Sequence, residues 1–444
     1  MTNSEPIKGF DILSITPPEM PAKLPGFVRD AICKVPLHMR MAAANALFPP
    51  AEALMHNVTF RYWDNTTSEP NGMEGCVGPS AVGKGYLDSM IEAIIRKLRA
   101  HDEESQRKLQ EYARICKTKG QNKDKPERPT DAAILVPEPD MTNPALIQLL
   151  QDAEREGNRS LYTTMPEVDL LDQCAGGHRK VTKVIRLNFD SKRYGAQRAT
   201  IEGITGNPFL RWKFNFSCVE DKARSFFKGG LLDGTLGRIG ISLVQKPQKR
   251  QLPKQGNYDQ AYFDKLDEYL LRLSSANGLY NITQLNRLIL SMNDEMNEIA
   301  DLSDDDIFES LAHRSLRIAW MKGCVLYIAE GYRWTRQIQD FVVWSLYYDL
   351  WSKLSIFAPQ MKNARNNEMV DVRKYGPSNM LDLLPDSFAQ QQLEQLRESQ
   401  NKKAYCRSQL DNWMDRQYIT YDESTKLYTK TEEYKKRHPQ NNLD

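Results

Sequence analysis

The sequence lacks any apolar run of the length that a membrane span requires, and its N-terminus has neither the basic start nor the apolar stretch of a secretory signal. It also lacks a C-x-x-C spacing, because its 7 cysteines lie far apart and only 6 histidines could join them. These absences argue against a disulfide framework and against a zinc site. We therefore expect a cytoplasmic protein with no membrane partner, whose cysteines are mostly small buried thiols.

What the sequence does contain is a phosphate-binding pattern between a short apolar stretch, residues 71–77, and a helical pattern that follows it. The pattern reads Gly78, Pro79, Ser80, Ala81, Val82, Gly83, Lys84 and Gly85. It matches G-x-x-x-x-G-K, although Gly85 stands where Ser or Thr is usual. The glycines let main-chain N–H groups turn towards a polyphosphate, the lysine adds positive charge, and the helix dipole points at the anion. We therefore expect ATP to bind here; the alternative is an ordinary glycine-rich turn.

Predicted strands and helices alternate after this motif, which is typical of an α/β fold. A helix is predicted from Lys84 to about Lys117 and another at 143–156, with an N-cap and first-turn pair at Asn143 and Pro144. Strands are predicted at 132–136, 160–165, 211–218 and 239–244. We interpret this region as a P-loop NTPase core of the additional-strand type, similar to RecA or AAA+ proteins.

A second acidic segment follows the strand at 160–165. In additional-strand ATPases such a strand end holds the water shell of Mg²⁺, and a Glu polarises the attacking water. Glu167 is the candidate catalytic Glu, and Asp169 is a supporting carboxylate that acts on the metal through water. Pro166 stands where an Asp is usual, so ATP binding is better supported than hydrolysis. The alternative for Glu167 is a helix N-terminal acid stabilised by the dipole.

Net charge is +2, but the charge is unevenly distributed along the chain. Residues 178–254 hold 17 Lys and Arg against 5 Asp and Glu, whereas residues 255–310 hold 3 against 12. A basic block inside an ATPase core suits contact with a nucleic-acid backbone. The alternative is a set of solvated faces that pair with the acidic block.

An alternating pattern at 181–205 predicts a β-hairpin with Lys192, Arg193 and Tyr194 at its polar tip. Such a hairpin would reach into the central channel of a ring, where the cations follow phosphates and the aromatic ring stacks on a base.

Further candidates lie in the later strands and helices. The strand at 211–218 would place Asn215 or Ser217 near the γ-phosphate. Arg238 is a candidate arginine finger or sensor, in its own subunit or a neighbour, because its rigid charged fork suits phosphate oxygens. Arg314 and Arg317 are lid candidates; the alternative is that they are surface arginines of an amphipathic helix.

The domain boundaries follow from changes in composition. We expect an N-terminal arm at 1–25, a helical cap in front of the P-loop at 26–70, the ATPase core at 71–245, a linker at 246–258, a helical lid domain at 259–358, a linker at 359–386 and a winged-helix-like domain at 387–437. In the winged helix, the groove-facing candidates are Arg407, Gln409, Asn412 and Arg416, with Lys426 on the wing. A protein-docking winged helix is the alternative, because this segment is nearly neutral.

The ordered set of motifs resembles a family of P-loop ATPases of unknown function encoded on phages, plasmids and integrative elements, related to the helicase modules of virulence-associated-E and D5-type primase-helicases. The resemblance covers roughly residues 24–356 and includes P-S-A-V-G-K-G at 79–85, R-S-L-Y-T-T-M-P-E-V-D at 159–169, L-D-G-T-L-G-R-I at 232–239 and H-R-S-L-R-I-A at 313–319. It implies a role in replication or mobilisation of a mobile element, and site roles for Lys84, Glu167, Asp169 and Arg238. With no primase module visible in the sequence, priming falls to a separate primase or initiator protein.

Three functions remain open on the sequence. The first is an ATP-binding motor or replication-initiation factor that acts on single-stranded or forked DNA as a homo-oligomer, with a ring as one form. The second is a nucleotide-dependent DNA adaptor that does not hydrolyse ATP, motivated by Gly85 and Pro166. The third is a small-molecule phosphotransferase, which the DNA-binding features disfavour.

Overall fold

The computed structural model describes residues 14, 16–118, 126–174, 177–195, 205–228, 233–246, 253–365, 379–400 and 402–438. Its helices are α1 Gly26–Ile32, α2 Arg40–Ala46, α3 Phe48–Leu54, α4 Tyr86–Thr118, α5 Asn143–Arg155, α6 Val168–Gln173, α7 His178–Phe189, α8 Glu220–Phe226, α9 Gln260–Ser275, α10 Thr283–Ser303, α11 Asp306–Ala329, α12 Arg336–Arg365, α13 Gln390–Ser399, α14 Arg407–Asp415 and α15 Glu432–Arg437. Its strands are β1 Val58–Arg61, β2 Thr67–Ser68, β3 Met73–Val77, β4 Leu161–Met165, β5 Trp212–Cys218, β6 Gly240–Leu243, β7 Gly278–Tyr280, β8 Ser387–Phe388, β9 Ile419–Asp422 and β10 Leu427–Lys430.

The central sheet has the order β4-β5-β3-β6, and its strands are parallel. The strands are short and almost fully buried on both faces, as is usual in parallel sheets. The predicted strands before the P-loop and at 160–165, 211–218 and 239–244 are confirmed. Because β5 lies between β3 and β4, the carboxyl ends of these three strands meet beside the P-loop, where parallel sheets bind ligands.

The predicted strand at 132–136 is wrong. The segment is extended and buried, and Tyr162 of β4 donates a main-chain hydrogen bond of 2.7 Å to Leu135 O. However, the N–H groups of Leu135 and Val136 donate to the carboxylate of Asp102 in α4, at 2.8 and 2.7 Å. A side chain therefore takes the donors that a regular strand would use, and the sheet ends at β4.

The predicted cap is part of the protein core. Helices α2 and α3 pack against the central sheet, and every residue of α3 is buried. Strand β1 pairs in parallel with β7, which lies between α9 and α10, and antiparallel with β2. The N-terminal segment and the helical region after residue 258 therefore share a small sheet, in addition to sharing one hydrophobic core.

Helix α12 covers the free edge of β6. Asp349 and Ser352 accept hydrogen bonds from Ile241 N at 2.7 Å and Leu243 N at 3.1 Å. The Tyr348 hydroxyl donates to Leu243 O at 2.9 Å. Aromatic residues of the same helix pack together, and Trp344, Tyr348 and Trp351 are stacked and buried.

The predicted basic hairpin is wrong in its first arm, which is helical. Val181, Val184, Ile185 and Asn188 recur at helical spacing, and all four are buried on one side of α7. Ile185, Leu187 and Phe189 alternate with polar residues and so imitate a strand, but only over a short window. The second predicted arm, 199–204, lies outside the described residues.

A shorter pairing follows α7. Tyr194 N donates to Pro208 O and Leu210 N donates to Lys192 O, both at 2.9 Å. Residues 192–194 therefore form the base of a loop and not its tip. Arg193 stacks on Phe209, 3.9 Å from the ring centroid, and donates to Asn207 O.

The C-terminal segment contains the predicted helix, helix and hairpin, as α13, α14 and the pair β9 and β10. Phe388, just before α13, pairs with Tyr428 in a sheet of order β8-β10-β9. The segment packs on the end of α10, where Leu302 joins its small core and Trp413 donates to Asp301 O at 3.3 Å.

In the part of the chain that the structure describes, no helix combines the length and the apolar character needed to span a membrane.

Candidate functional site

The P-loop follows β3 and is fixed at both ends. Gly78 N donates to Cys218 O of β5 at 3.1 Å, and Tyr86 N donates to Gly83 O at 3.0 Å. Gly83 has a φ of +92°, and a Cβ there would lie 2.5 Å from the Tyr86 ring, so the position requires glycine. Ala81 also has a positive φ, 61°. Alternation of positive and negative φ turns successive N–H groups to one side, which forms an anion-binding nest.

The main-chain donors of this loop are unused. Among the described residues, no N–H group from Ser80 to Gly85 donates a hydrogen bond to another part of the chain. Most residues of the loop are exposed or half-buried, so these donors are accessible from solvent. Free donors at the amino end of the 33-residue helix α4 are groups that could bind an anion.

Lys84 contacts the main chain of its own loop. Its Nζ donates to Gly78 O and to Pro79 O, both at 3.0 Å. Neither partner carries a full charge, so a phosphate oxygen would be the stronger acceptor. His38, in the 3-10 helix Leu37–Met39, lies with Nε2 2.9 Å from Val82 O, so the predicted cap does contact the P-loop.

The two acidic candidates lie at the end of β4. Glu167 is exposed at the N-cap position of α6, but its side chain makes no capping bond. Asp169 is also exposed and accepts a bond of 2.7 Å from Lys222. Glu167 is therefore available to a ligand, whereas Asp169 is paired in this conformation.

Asn215 lies inside the sheet and not at its edge. Its Oδ1 accepts from the Tyr162 hydroxyl at 2.8 Å, and its Nδ2 donates to Ala46 O at 3.1 Å. Both ends of the amide are thus occupied by the fold. Ser217, two residues nearer the carboxyl edge, is half-buried and is the better placed of the two predicted γ-phosphate contacts.

Sequence reasoning missed a buried charge network under the same sheet. Glu74 of β3 pairs with Lys322 of α11 at 2.7 Å, and Lys322 also donates to Asn45 Oδ1 at 2.8 Å. Each of these residues is at most 4% exposed. The available signal was a single charged residue within each apolar stretch, at Glu74 and at Lys322.

Two further buried ionisable groups, Glu52 and Lys213, lie next to this network. Glu52 accepts a short hydrogen bond from Gly72 N, and burial raises the pKa of its carboxyl to about 7. Burial lowers the pKa of Lys213 to about 8. Lys213 donates to Ser160 Oγ at 2.6 Å. Glu52 binds the residue just before β3, and Lys213 binds the residue just before β4. Both groups therefore serve the fold rather than facing the P-loop.

Arg238 lies at the opposite edge of the sheet. It precedes β6, whose Gly240 pairs with Glu74, whereas the P-loop follows Val77 at the carboxyl end. Along a strand this separation is on the order of 15 Å, beyond the reach of an arginine side chain. The guanidinium donates to Gly234 O at 3.0 Å, and its Nε has no partner among the described residues.

The structure does bring three of the predicted arginines together. A cleft of about 440 Å³ is lined by acidic and polar residues of α11 and by Arg238, Arg314 and Arg317. Arg317 lies between Tyr62 and Trp320, 4.3 Å from each ring centroid, and burial lowers its pKa. Arg317 is therefore held in the protein at the amino edge of the sheet, away from the P-loop.

The predicted DNA contacts differ in their availability. Lys192 is exposed, whereas Arg193 binds Asn207 and the Tyr194 hydroxyl donates to Asn143 Oδ1 in α5. Tyr194 is therefore not free to stack on a base. The two blocks of opposite charge do not pair with each other in any ion pair of the described residues.

In the C-terminal segment, Arg407 and Asn412 are exposed. The prediction that Gln409 faces outward is wrong, because it is 5% exposed and accepts from Arg397. Arg416 pairs with Asp301 of α10. Lys426 is exposed in the turn between β9 and β10, with a φ of 55°.

Comparison with models of protein families finds no match, and comparison with curated proteins finds none. Among solved structures, the chain is similar to the ADP form of the ORC2 protein of Aeropyrum pernix, at 11% sequence identity over 95% of this chain and 93% of that chain. The TM-score of 0.22 is too low to establish a common fold. The functional argument therefore rests on the site itself.

Proposed function

We propose that the chain is an ATP-binding protein that acts on DNA, as a helicase-like motor or a replication-initiation factor of a mobile genetic element. The observation that carries the proposal is the run of unused N–H donors from Ser80 to Gly85 between β3 and α4, with Lys84 beside it. Donors in a nest at a helix N-terminus bind polyphosphate through charge-assisted hydrogen bonds. The sheet order supports the proposal, because β5 separates β3 from β4 as in additional-strand ATPases.

Glu167 is the group that would activate water. It follows β4, so its carboxylate lies at the same edge of the sheet as the P-loop, and its side chain makes no capping bond. Asp169 would act on the water shell of Mg²⁺ only after its contact with Lys222 opens. ATP and Mg²⁺ are the ligands that this arrangement would take.

Arg238 would act on the nucleotide of a neighbouring subunit. Its position at the amino edge of the sheet excludes its own P-loop, and the cleft that it shares with Arg314 and Arg317 opens to solvent. Three clustered cations suit the phosphates of a nucleotide bound to another copy. A homo-oligomer, such as a ring, would bring the two edges together.

The proposed contact with DNA rests on cations that the fold leaves unpaired. Lys192 at the base of the 192–210 loop and Arg407 on α14 are exposed and have no ion-pair partner among the described residues. Such cations contribute to binding by releasing counterions from DNA.

The test is ATP turnover with Mg²⁺, with and without single-stranded DNA, for the native chain, Lys84→Ala and Glu167→Gln. We expect turnover that DNA stimulates and that both variants lose, with ATP binding weakened only in Lys84→Ala. Nucleotide binding without turnover in the native chain would overturn the motor. Absence of nucleotide binding would overturn the proposal as a whole.

A second candidate is a DNA adaptor that binds ATP without hydrolysing it. Gly85 lacks the customary hydroxyl, Pro166 replaces a customary carboxylate, and Asp169 is paired with Lys222. The same assay separates the candidates: in the adaptor, ATP would increase DNA affinity while phosphate release stays at background.

A further inference from the structure

The proposed nucleotide site lacks the two customary protein contacts to its metal ion. Mg²⁺ requires octahedral oxygen coordination, which phosphates, waters and one or two protein oxygens usually provide. Gly85 and Pro166 provide no side-chain oxygen. A site that takes Mg·ATP would therefore need another protein oxygen near the same place.

Asp88 provides an oxygen in that place. It lies in the first turn of α4, where its N–H donates to Gly85 O at 3.2 Å. Its Oδ2 is 3.6 Å from the point where a Cβ on Gly85 would stand. A Ser or Thr at position 85 would carry its hydroxyl one bond away from that point. The carboxylate of Asp88 therefore occupies the neighbourhood of the missing hydroxyl.

The surroundings of Asp88 connect it with the rest of the site. A small cavity between α4 and the sheet is lined by Asp88 together with Thr164, Pro166 and Ser217, and it continues along the strands to Glu74 and Asn215. Asp88 therefore shares a cavity with Pro166, which follows β4 where a carboxylate is customary.

The carboxylate of Asp88 is also unused by the fold. In the described part of the chain, no hydrogen bond or ion pair engages it, whereas Asp169 is paired with Lys222. Asp88 is exposed, so its carboxylate is open to a cation that enters from solvent with the nucleotide.

We propose that the Asp88 carboxylate replaces the P-loop hydroxyl as the protein ligand of a divalent cation bound with the nucleotide. The proposal rests on the proposed nucleotide site, and it assigns to α4 a ligand that the P-loop pattern does not contain. It also explains how Gly85 is tolerated: the oxygen is provided from one turn further along the same helix.

The experiment measures ATP affinity by calorimetry, with Mg²⁺ and with chelator. We expect Mg²⁺ to strengthen binding to the native chain, and Asp88→Asn to reduce this strengthening about tenfold or more. Affinity in chelator should be unchanged or higher in Asp88→Asn, because a carboxylate near the phosphates has been removed. Electron paramagnetic resonance of Mn²⁺ with ADP should report an altered metal environment in the same variant.

Two further variants separate coordination from charge. Glu92→Gln removes a negative charge one turn further along α4, from a residue that pairs with Arg99, and should keep the effect of Mg²⁺. Gly85→Ser restores the customary hydroxyl. The position has no positive φ, and an added Cβ would contact only Asp88, at 3.6 Å, so serine fits there. The double variant Gly85→Ser/Asp88→Asn should therefore recover most of the effect of Mg²⁺.

The outcomes distinguish this inference from the proposed function. No ATP binding by the native chain would overturn the nucleotide site itself. Binding that Mg²⁺ strengthens equally in the native chain and in Asp88→Asn would overturn only the role of Asp88. An equal loss in Glu92→Gln, or no recovery in the double variant, would also overturn it, because the effect would then come from charge and not from coordination.

Discussion

The polar groups near the two ends of strand β3 differ in whether the fold pairs them. Near its start, Glu74 pairs with Lys322, and Asn45 accepts from Lys322 and donates to Ser242 Oγ at 3.1 Å. After its end, the N–H groups of Ser80 to Gly85 have no acceptor among the described residues. The paired groups are buried and the unpaired ones reach solvent.

This contrast separates polar groups that serve the fold from those available to a ligand. A buried charge without a partner is too costly to persist, so the network at Glu74 must be complete in the free protein. Donors next to solvent can exchange water for phosphate. Variants at the two ends should therefore affect different measurements, the first changing stability and the second changing ligand affinity.

The largest effect should come from breaking the buried pair. Lys322→Met leaves the carboxylate of Glu74 without its cation, which should lower the free energy of unfolding by about 3–5 kcal/mol. Urea unfolding followed by circular dichroism measures this change. The double variant Glu74→Gln/Lys322→Met should recover part of the loss, because no unpaired charge remains. A loss below about 1 kcal/mol in Lys322→Met would show that the network is not essential to the fold.

The P-loop end should respond in affinity rather than in stability. Lys84→Ala removes a cation next to the free donors and should weaken ATP binding about 10- to 100-fold, as expected for charge-assisted hydrogen bonds. Fluorescence titration with a labelled ATP measures it. Lys97→Ala is the matched control, since Lys97 lies on α4 and pairs with Asp267. Equal weakening in both variants would contradict the assigned site.

The pH dependence of stability tests the buried carboxyl of Glu52. Burial raises the pKa of Glu52 to about 7, so between pH 4.5 and 7 the folded chain binds more protons there than the unfolded chain. Stability should therefore fall as pH rises through this window, because the carboxylate must ionise while buried. Glu52→Gln keeps an acceptor for Gly72 N. It should reduce the change in the free energy of unfolding across this pH window by about 1–3 kcal/mol. Thermal unfolding of the native chain and of Glu52→Gln at pH 5 and pH 8 measures this difference. The same change in stability with pH in both proteins would refute the assigned role of Glu52.

The smallest effect concerns DNA. Arg407 is exposed on α14, whereas Arg416 pairs with Asp301. Arg407→Ala should weaken DNA binding about two- to fivefold and lower the salt dependence by the equivalent of about one phosphate contact. Arg416→Ala should change DNA affinity less and instead loosen the C-terminal segment from α10. Fluorescence anisotropy at several salt concentrations measures both variants. A stronger effect of Arg416 would show that its pair with Asp301 opens on DNA.

The strand, loop and helix at 71–118 could be predicted because local rules suffice there. The glycine pattern that includes Gly83 at its positive φ, the short strand before it and the helical spacing after it are all visible within a few residues. The C-terminal helices and hairpin were predictable for the same reason. Their docking on α10 was not, since the pair of Arg416 with Asp301 joins positions 115 residues apart in the chain.

The errors share one physical origin, which is competition from distant partners. At 132–136, Asp102 takes the donors that a strand would use. At 181–189, the face buried against the protein follows helical spacing, but a six-residue window shows only alternation. Asn215 and Gln409 look available in the sequence because nothing local shows that Tyr162, Ala46 and Arg397 occupy them.

The cover on strand β6 has a consequence for assembly. An uncovered edge strand offers main-chain donors and acceptors to any other chain and invites aggregation by sheet extension. Here Asp349 and Ser352 of α12 accept hydrogen bonds from two main-chain N–H groups of β6, and Tyr348 donates one to a main-chain carbonyl of β6. This edge therefore cannot recruit a strand from a second copy while α12 stays in place. Copies that meet at this side of the molecule must recognise each other through side chains, so their association can be reversible and does not risk fusing two sheets into a fibre.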